Sequence, residues 1–171
     1  MKGNLLPLAA VLAVLIAASV AVVLIFGASG GGGASSTLEG YFQTLNSVQE
    51  EISAQYSTIS TQYPQAFQDK QETLDYLDAS IVVWGDGAEK LKAIDPPGAA
   101  QQGHDGLVQA TDDVRGAFEG LRPGAEDAAD ATALQDLLNN ADTAAFANFT
   151  TACQALQDLA DQNSIAVQLA C

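Results

Sequence analysis

Three side chains carry most of the chemistry this sequence can offer: Cys153 and Cys171, its only thiols, and His104, its only imidazole. A redox pair favours Cys-x-x-Cys at a helix start, where the thiolate is stabilised. A zinc shell needs four ligands, and two distant cysteines with one histidine leave it incomplete. Cys153 lies nine residues before an expected helix end near Gln162, about 14 Å of helical rise. The nine residues from Asn163 to Cys171 extend to about 30 Å, so the tail can fold back along its own helix. Ile165, Val167 and Leu169 alternate with Ala166, Gln168 and Ala170, a period of two that suits an extended segment with one face packed. The simplest reading is a structural Cys153–Cys171 disulfide in an exported domain, worth roughly 3 kcal/mol. Intermolecular pairing and free thiols are the alternatives.

His104 falls on the buried stripe of an expected third helix, beside Asp105. No Glu-x-x-His or His-x-x-x-His spacing accompanies it. The plain reading is a helix-start histidine hydrogen-bonded to the Pro96-Pro97 loop; ligand contact or a pH-sensitive hinge is the sharper one. Trp84, with Tyr41, Phe42, Tyr56 and Tyr63, can line a pocket between helices or simply fill the core. His104 and Trp84 are therefore the candidate ligand-binding residues, and no catalytic residue, metal ligand or cofactor is expected. Ser53, Ser57, Thr58, Ser60 and Thr61 sit in no Gly-x-Ser-x-Gly context and beside no candidate base, so an enzyme is not expected. Gly30 to Gly33 lack the strand and the Lys-Ser/Thr of a phosphate loop. Asn148-Phe149-Thr150 matches a glycosylation acceptor but falls inside an expected helix.

Carboxylates dominate the rest. Glu50-Glu51, Asp112-Asp113 and Glu126-Asp127 with Asp130 are the densest groups, without an Asp-x-Asp-x-Asp-Gly loop. They read as a solvated acidic face, with weak divalent-cation binding as the alternative. Beyond Gly27 five basic residues (Lys70, Lys90, Lys92, Arg115, Arg122) stand against all 21 acidic ones, leaving −16. Such a surface repels nucleic acid and anionic lipid headgroups, and no nucleic-acid partner is expected.

The elements that must position these residues begin after an unusual amino-terminal stretch. Leu5 to Phe26 form 22 residues without a charge, about 33 Å as a helix and enough to cross a bilayer core. Its length favours a retained anchor over a cleaved signal, and Lys2 keeps its amino end in the cytoplasm. No cysteine follows it to carry a lipoprotein anchor. The predicted organisation is an anchor or signal segment over 1–27, a flexible Gly/Ser linker over 28–36 and an extracytoplasmic domain over 37–171.

Ser36 and Glu39 have capping-box spacing, so a helix should start there. Four stripes with helical steps follow. The first runs from Leu38 to Tyr63, the second from Phe67 to Ile94, and the third from His104 to Leu121, stopped by Pro123-Gly124. The fourth keeps its phase through Asn139-Asn140, which predicts one continuous helix over 124–162. Ile81 to Trp84 also has some strand character. The predicted fold is all-α: an antiparallel four-helix bundle with a disulfide-clasped carboxy-terminal tail, behind a transmembrane or signal helix.

In "AIDPPGAAQQGHDGLVQA" and "ACQALQDLADQNSIAVQLAC" the chain resembles small uncharacterised bacterial envelope proteins with an N-terminal anchor and an exported helical bundle. The resemblance implies a location and an architecture and transfers no functional residue. A pilin is set aside, because the apolar block opens with Leu5-Leu6-Pro7 and lacks an acidic residue near its start. The expected function is an interaction or accessory module of the cell envelope, single-pass in the membrane or secreted after signal cleavage, with a protein partner. A small-ligand or divalent-cation binding bundle is the alternative.

Overall fold

A computed structural model describes residues 37–171. The apolar block and the glycine linker lie outside the described residues. These form five helices: α1 Leu38–Gln62, α2 Lys70–Lys92, α3 Gln101–Asp127, α4 Ala131–Asn139 and α5 Ala144–Gln162. There is no strand among them, only an isolated bridge between Ala66 and Asp69, and Ile81 to Trp84 lie within α2. Helix α3 packs against α2, α4 and α5, while α1 packs against α2. None of these helices is long and apolar enough to cross a membrane.

The first cap sits one residue later than the capping-box spacing suggests. Thr37 is the N-cap of α1, its hydroxyl accepting from Gly40 N at 3.1 Å. Asp69 and Asp130 cap α2 and α4 in the same way, through Glu72 N and Ala133 N. Between α1 and α2 the chain turns at Phe67, whose φ of 66° is a left-handed conformation that costs a non-glycine residue about 1–2 kcal/mol. Burial of its ring, 5.7 Å from that of Tyr76, offsets the strain. Thr73 Oγ1 accepts from Phe67 N at 2.7 Å, and Gln135 donates to Phe67 O at 2.7 Å.

Two expectations about the second half fail. Pro123-Gly124 do not stop α3, which continues to Asp127 with the proline inside it. The extra turn buries Ala125 and presents carbonyls to Lys70 Nζ, which donates to Glu126 O and to Ala128 O. Gly124 also permits a close approach, since a Cβ there would lie 2.7 Å from Leu137 Cδ1. Nor is 124–162 one helix. Asn140 turns its side chain back to Asp136 O at 2.6 Å, and Asp142 Oδ1 accepts from Ala144 N at 2.9 Å. These short polar side chains offer the backbone a local alternative to the helical ladder. The apolar phase survives the break, with Leu134, Leu138 and Leu156 all buried.

Packing divides into two apolar cores. The first joins Ile52, Tyr56 and Ile59 of α1 to Tyr76, Leu77 and Trp84 of α2, Val114 and Phe118 of α3, and Leu134 and Leu138 of α4. The second joins Tyr41, Phe42 and Leu45 to Leu91, Leu107, Cys153, Leu156 and Leu169. Val48 and Phe149 touch both.

Candidate functional site

Cys153 and Cys171 are bonded, with Cα atoms 5.4 Å apart. The geometry around them makes a built seam of the tail. Helix α5 ends in the hydrogen-bond pattern of a Schellman motif, with Ser164 N donating to Asp161 O and Ile165 N to Ala160 O, each at 3.0 Å. The residue that must turn left-handed there is Ser164, φ 56°. Beyond it Ile165, Val167 and Leu169 face inward while Ala166, Gln168 and Ala170 are exposed.

Two glutamines hold the tail's backbone. Gln157 donates from Nε2 to Val167 O at 3.1 Å and accepts at Oε1 from Leu169 N at 2.8 Å. Gln49 of α1 accepts from Ala170 N at 3.2 Å and directs Nε2 to Cys153 Sγ at 3.4 Å. The sequence reading missed both glutamines. A signal existed for Gln49: it stands four residues after Leu45 and three before Ile52, on the buried stripe.

His104 is buried at the first turn of α3. Its Nδ1 lies 3.2 Å from Tyr41 Oη, and the rings meet edge to face at 5.7 Å. Burial lowers its pKa, opposed by the charge of Asp105 and by a hydrogen bond to the Leu91 backbone. Burial, with Asp105 adding to it, raises Tyr41 far above the ordinary phenol value. The partners of the His104 ring thus come from α1, through the Tyr41 hydroxyl, and from α2, through the Leu91 backbone, whereas His104 N makes the first-turn bond to Ala100 O, the N-cap, at 2.8 Å.

Trp84 lies in the other core, edge to face with Phe149 at 5.3 Å and Tyr56 at 6.1 Å. The structure does not bring His104 and Trp84 together. Trp84 Nε1 is buried without a hydrogen-bond partner, while Ser80, one turn before it on α2, lies beside the Tyr76 hydroxyl. The Tyr56 and Tyr76 hydroxyls pair with each other, and burial raises both phenols.

Among the described residues no three His, Cys, Asp or Glu side chains converge to hold a metal ion. The α1 hydroxyls serve the backbone: Thr58 donates to Ala54 O, Ser60 to Tyr56 O and Thr61 to Ser57 O, at 2.9, 3.1 and 3.0 Å. An open groove of 580 Å³ between α3 and α5 is lined by Gly103, Gly106, Ala152, Ala155 and Leu159, with uncharged amides around them.

Every basic side chain of the described residues is engaged within the molecule. Lys90 pairs with Glu51, and Lys92 with Glu89 and Asp112 at 2.9 and 3.0 Å. Arg115 lies 3.4 Å from both Asp112 and Glu119. Arg122 grips Asp78 through Nε at 2.5 Å and also pairs with Glu126. No basic residue follows Arg122, whereas Asp130, Asp136, Asp142, Asp158 and Asp161 do. No protein-family model, curated protein or solved structure matches the chain.

Proposed function

We propose that the chain is a membrane-tethered interaction module of the cell envelope, holding an acidic helical domain outside the cytoplasm for a partner with a basic surface. The observation that carries this reading is the distribution of charge. Four of the five basic residues beyond the linker pair with carboxylates and Lys70 bonds backbone carbonyls, while 21 acidic residues stand against these five, so the net charge presented to solvent is strongly acidic. Complementary potentials of this kind steer encounter and select partners. The apolar run from Leu5 to Phe26 and the glycines after it supply an anchor and a flexible tether. The domain is an antiparallel four-position bundle in which α4 and α5 share the fourth position, an arrangement supported by the short connections between helices.

The test is photo-crosslinking from Gln154, an exposed residue on α5, with the full chain in its native membrane at low and raised salt. A crosslink to one partner that weakens as salt rises supports the reading. A crosslink indifferent to salt, or a chain released intact by alkaline washing of the membrane, refutes it.

A second reading, a small-ligand binding bundle, is favoured by the partnerless Trp84 Nε1, since buried polar groups ordinarily find partners. A ligand selective for the folded state raises the melting temperature by mass action. A metabolite panel with no such effect leaves the first reading alone.

A further inference from the structure

The tail beyond Ser164 is a segment without helix or strand, with tight turns closed by Val167 N to Ile165 O and Cys171 N to Leu169 O, seated in a groove of its own domain. Its walls are α1 and α5. Gln157 and Gln49 bond its backbone, Leu169 fills the apolar floor at 5% exposed, and Cys153 fixes its end. These bonds come from side chains of residues 49, 153 and 157, and none requires the tail to belong to the same copy. The only connection that does is the turn at Asn163-Ser164, where a serine occupies the left-handed position that glycine favours. Short strained hinges of this kind invite exchange of a terminal element between copies.

We propose that the seam between α1 and α5 also accepts the tail of a second copy of this chain, giving a swapped dimer joined by two Cys153–Cys171 bonds. Cys153 is fully buried and Cys171 only partly, so a small external thiolate attacks the Cys171 sulfur and Cys153 leaves as a thiolate. The mixed disulfide frees the tail. The Cys153 thiolate of the second copy then attacks the Cys171 sulfur, forming the new bond and releasing the small thiolate. Two intramolecular disulfides become two intermolecular ones, with no net oxidation and the thiol regenerated. Beyond Gly27 each copy carries five basic against 21 acidic residues, so two domains repel at low ionic strength and exchange rises with salt.

The experiment mixes ¹⁴N- and ¹⁵N-labelled full chain, oxidised and held in mild detergent, with glutathione at several protein concentrations. Disulfide-linked peptides are then mapped by mass spectrometry. The expected result is a Cys153–Cys171 peptide of mixed isotope composition that grows with concentration and salt and is absent without thiol. Ser164→Gly, which relaxes the hinge in the monomer, should lower the mixed fraction several-fold. Same-isotope peptides alone would overturn the proposal even if the chains associate through the apolar block. So would a Cys171–Cys171 peptide, or a bond that glutathione never opens.

Discussion

Replacing Cys171 by alanine removes the clasp without touching the buried Cys153. The bond closes a loop with a sequence separation of 18, for which the chain-entropy relation gives about 3 kcal/mol at 25 °C. For residues 37–171 an unfolding entropy of about 2.1 cal/mol/K per residue sums to about 0.28 kcal/mol/K, so the melting temperature should fall by about 11 °C. The assay is calorimetry of the full chain, wild type and variant, each also after reduction. Reduced wild type should melt with the variant, and the variant should ignore reductant. A fall below about 3 °C would refute the reasoning, because the unfolded chain would then gain almost no freedom when the loop opens. A tail that stays protected from proteolysis in the variant would show that Gln49, Gln157 and Leu169 hold it without the bond.

Ser164→Gly should stabilise the domain by about 0.5–1 kcal/mol, the left-handed strain outweighing the extra freedom of glycine when unfolded; unchanged denaturant midpoints would contradict it. Burial holds the His104 pKa below its ordinary value, so the unfolded chain takes up a proton first as pH falls. Its stabilisation is complete above about pH 6.5 and is lost as pH falls below that toward the folded pKa. His104→Gln should flatten the melting-temperature profile in that window alone, and profiles that stay parallel to wild type would refute the assignment. Gly87→Ala places a Cβ 2.6 Å from Ile52 Cδ1 and should cost about 1–3 kcal/mol. Ile52→Val in the same chain should recover part of the loss, which a double-mutant cycle measures.

Where the sequence read well, the relevant physics was local. The stripe from Leu38 to Tyr63 is one face because helical spacing puts it there, with Phe42, Leu45, Ile52, Tyr56 and Ile59 buried and Leu38, Val48 and Tyr63 half-buried. The tail's alternation turned Ile165, Val167 and Leu169 toward the core and left Ala166, Gln168 and Ala170 exposed, as its period of two predicts. Where it failed, distant partners decided. Pro123 looks like a stop until Lys70, more than fifty residues earlier, supplies a donor to the carbonyls beyond it. Asn139-Asn140 keep the apolar phase because α4 and α5 both pack against α3, and phase alone cannot distinguish one helix from two in register. The candidate site was legible only as residues. His104 was marked as buried, but Tyr41 and Leu91 as its neighbours depend on how three helices meet.

The division into two cores has a consequence for the order of folding. The buried residues of the first core are complete once Leu138 is present, and Phe149 soon joins them. The second needs Leu169 and the cysteine beyond it. A chain emerging amino end first can therefore assemble α2, α3, α4 and half of α1 while Tyr41, Phe42 and Leu45, covered so far only from the side of Leu91, His104 and Leu107, wait for Cys153, Leu156 and Leu169. Trp84 belongs to the early core, so its fluorescence follows the first event, while closure of the disulfide times the second. During that interval the half-covered aromatic residues of α1 are a surface exposed to aggregation, and α5 with its tail is what ends the interval.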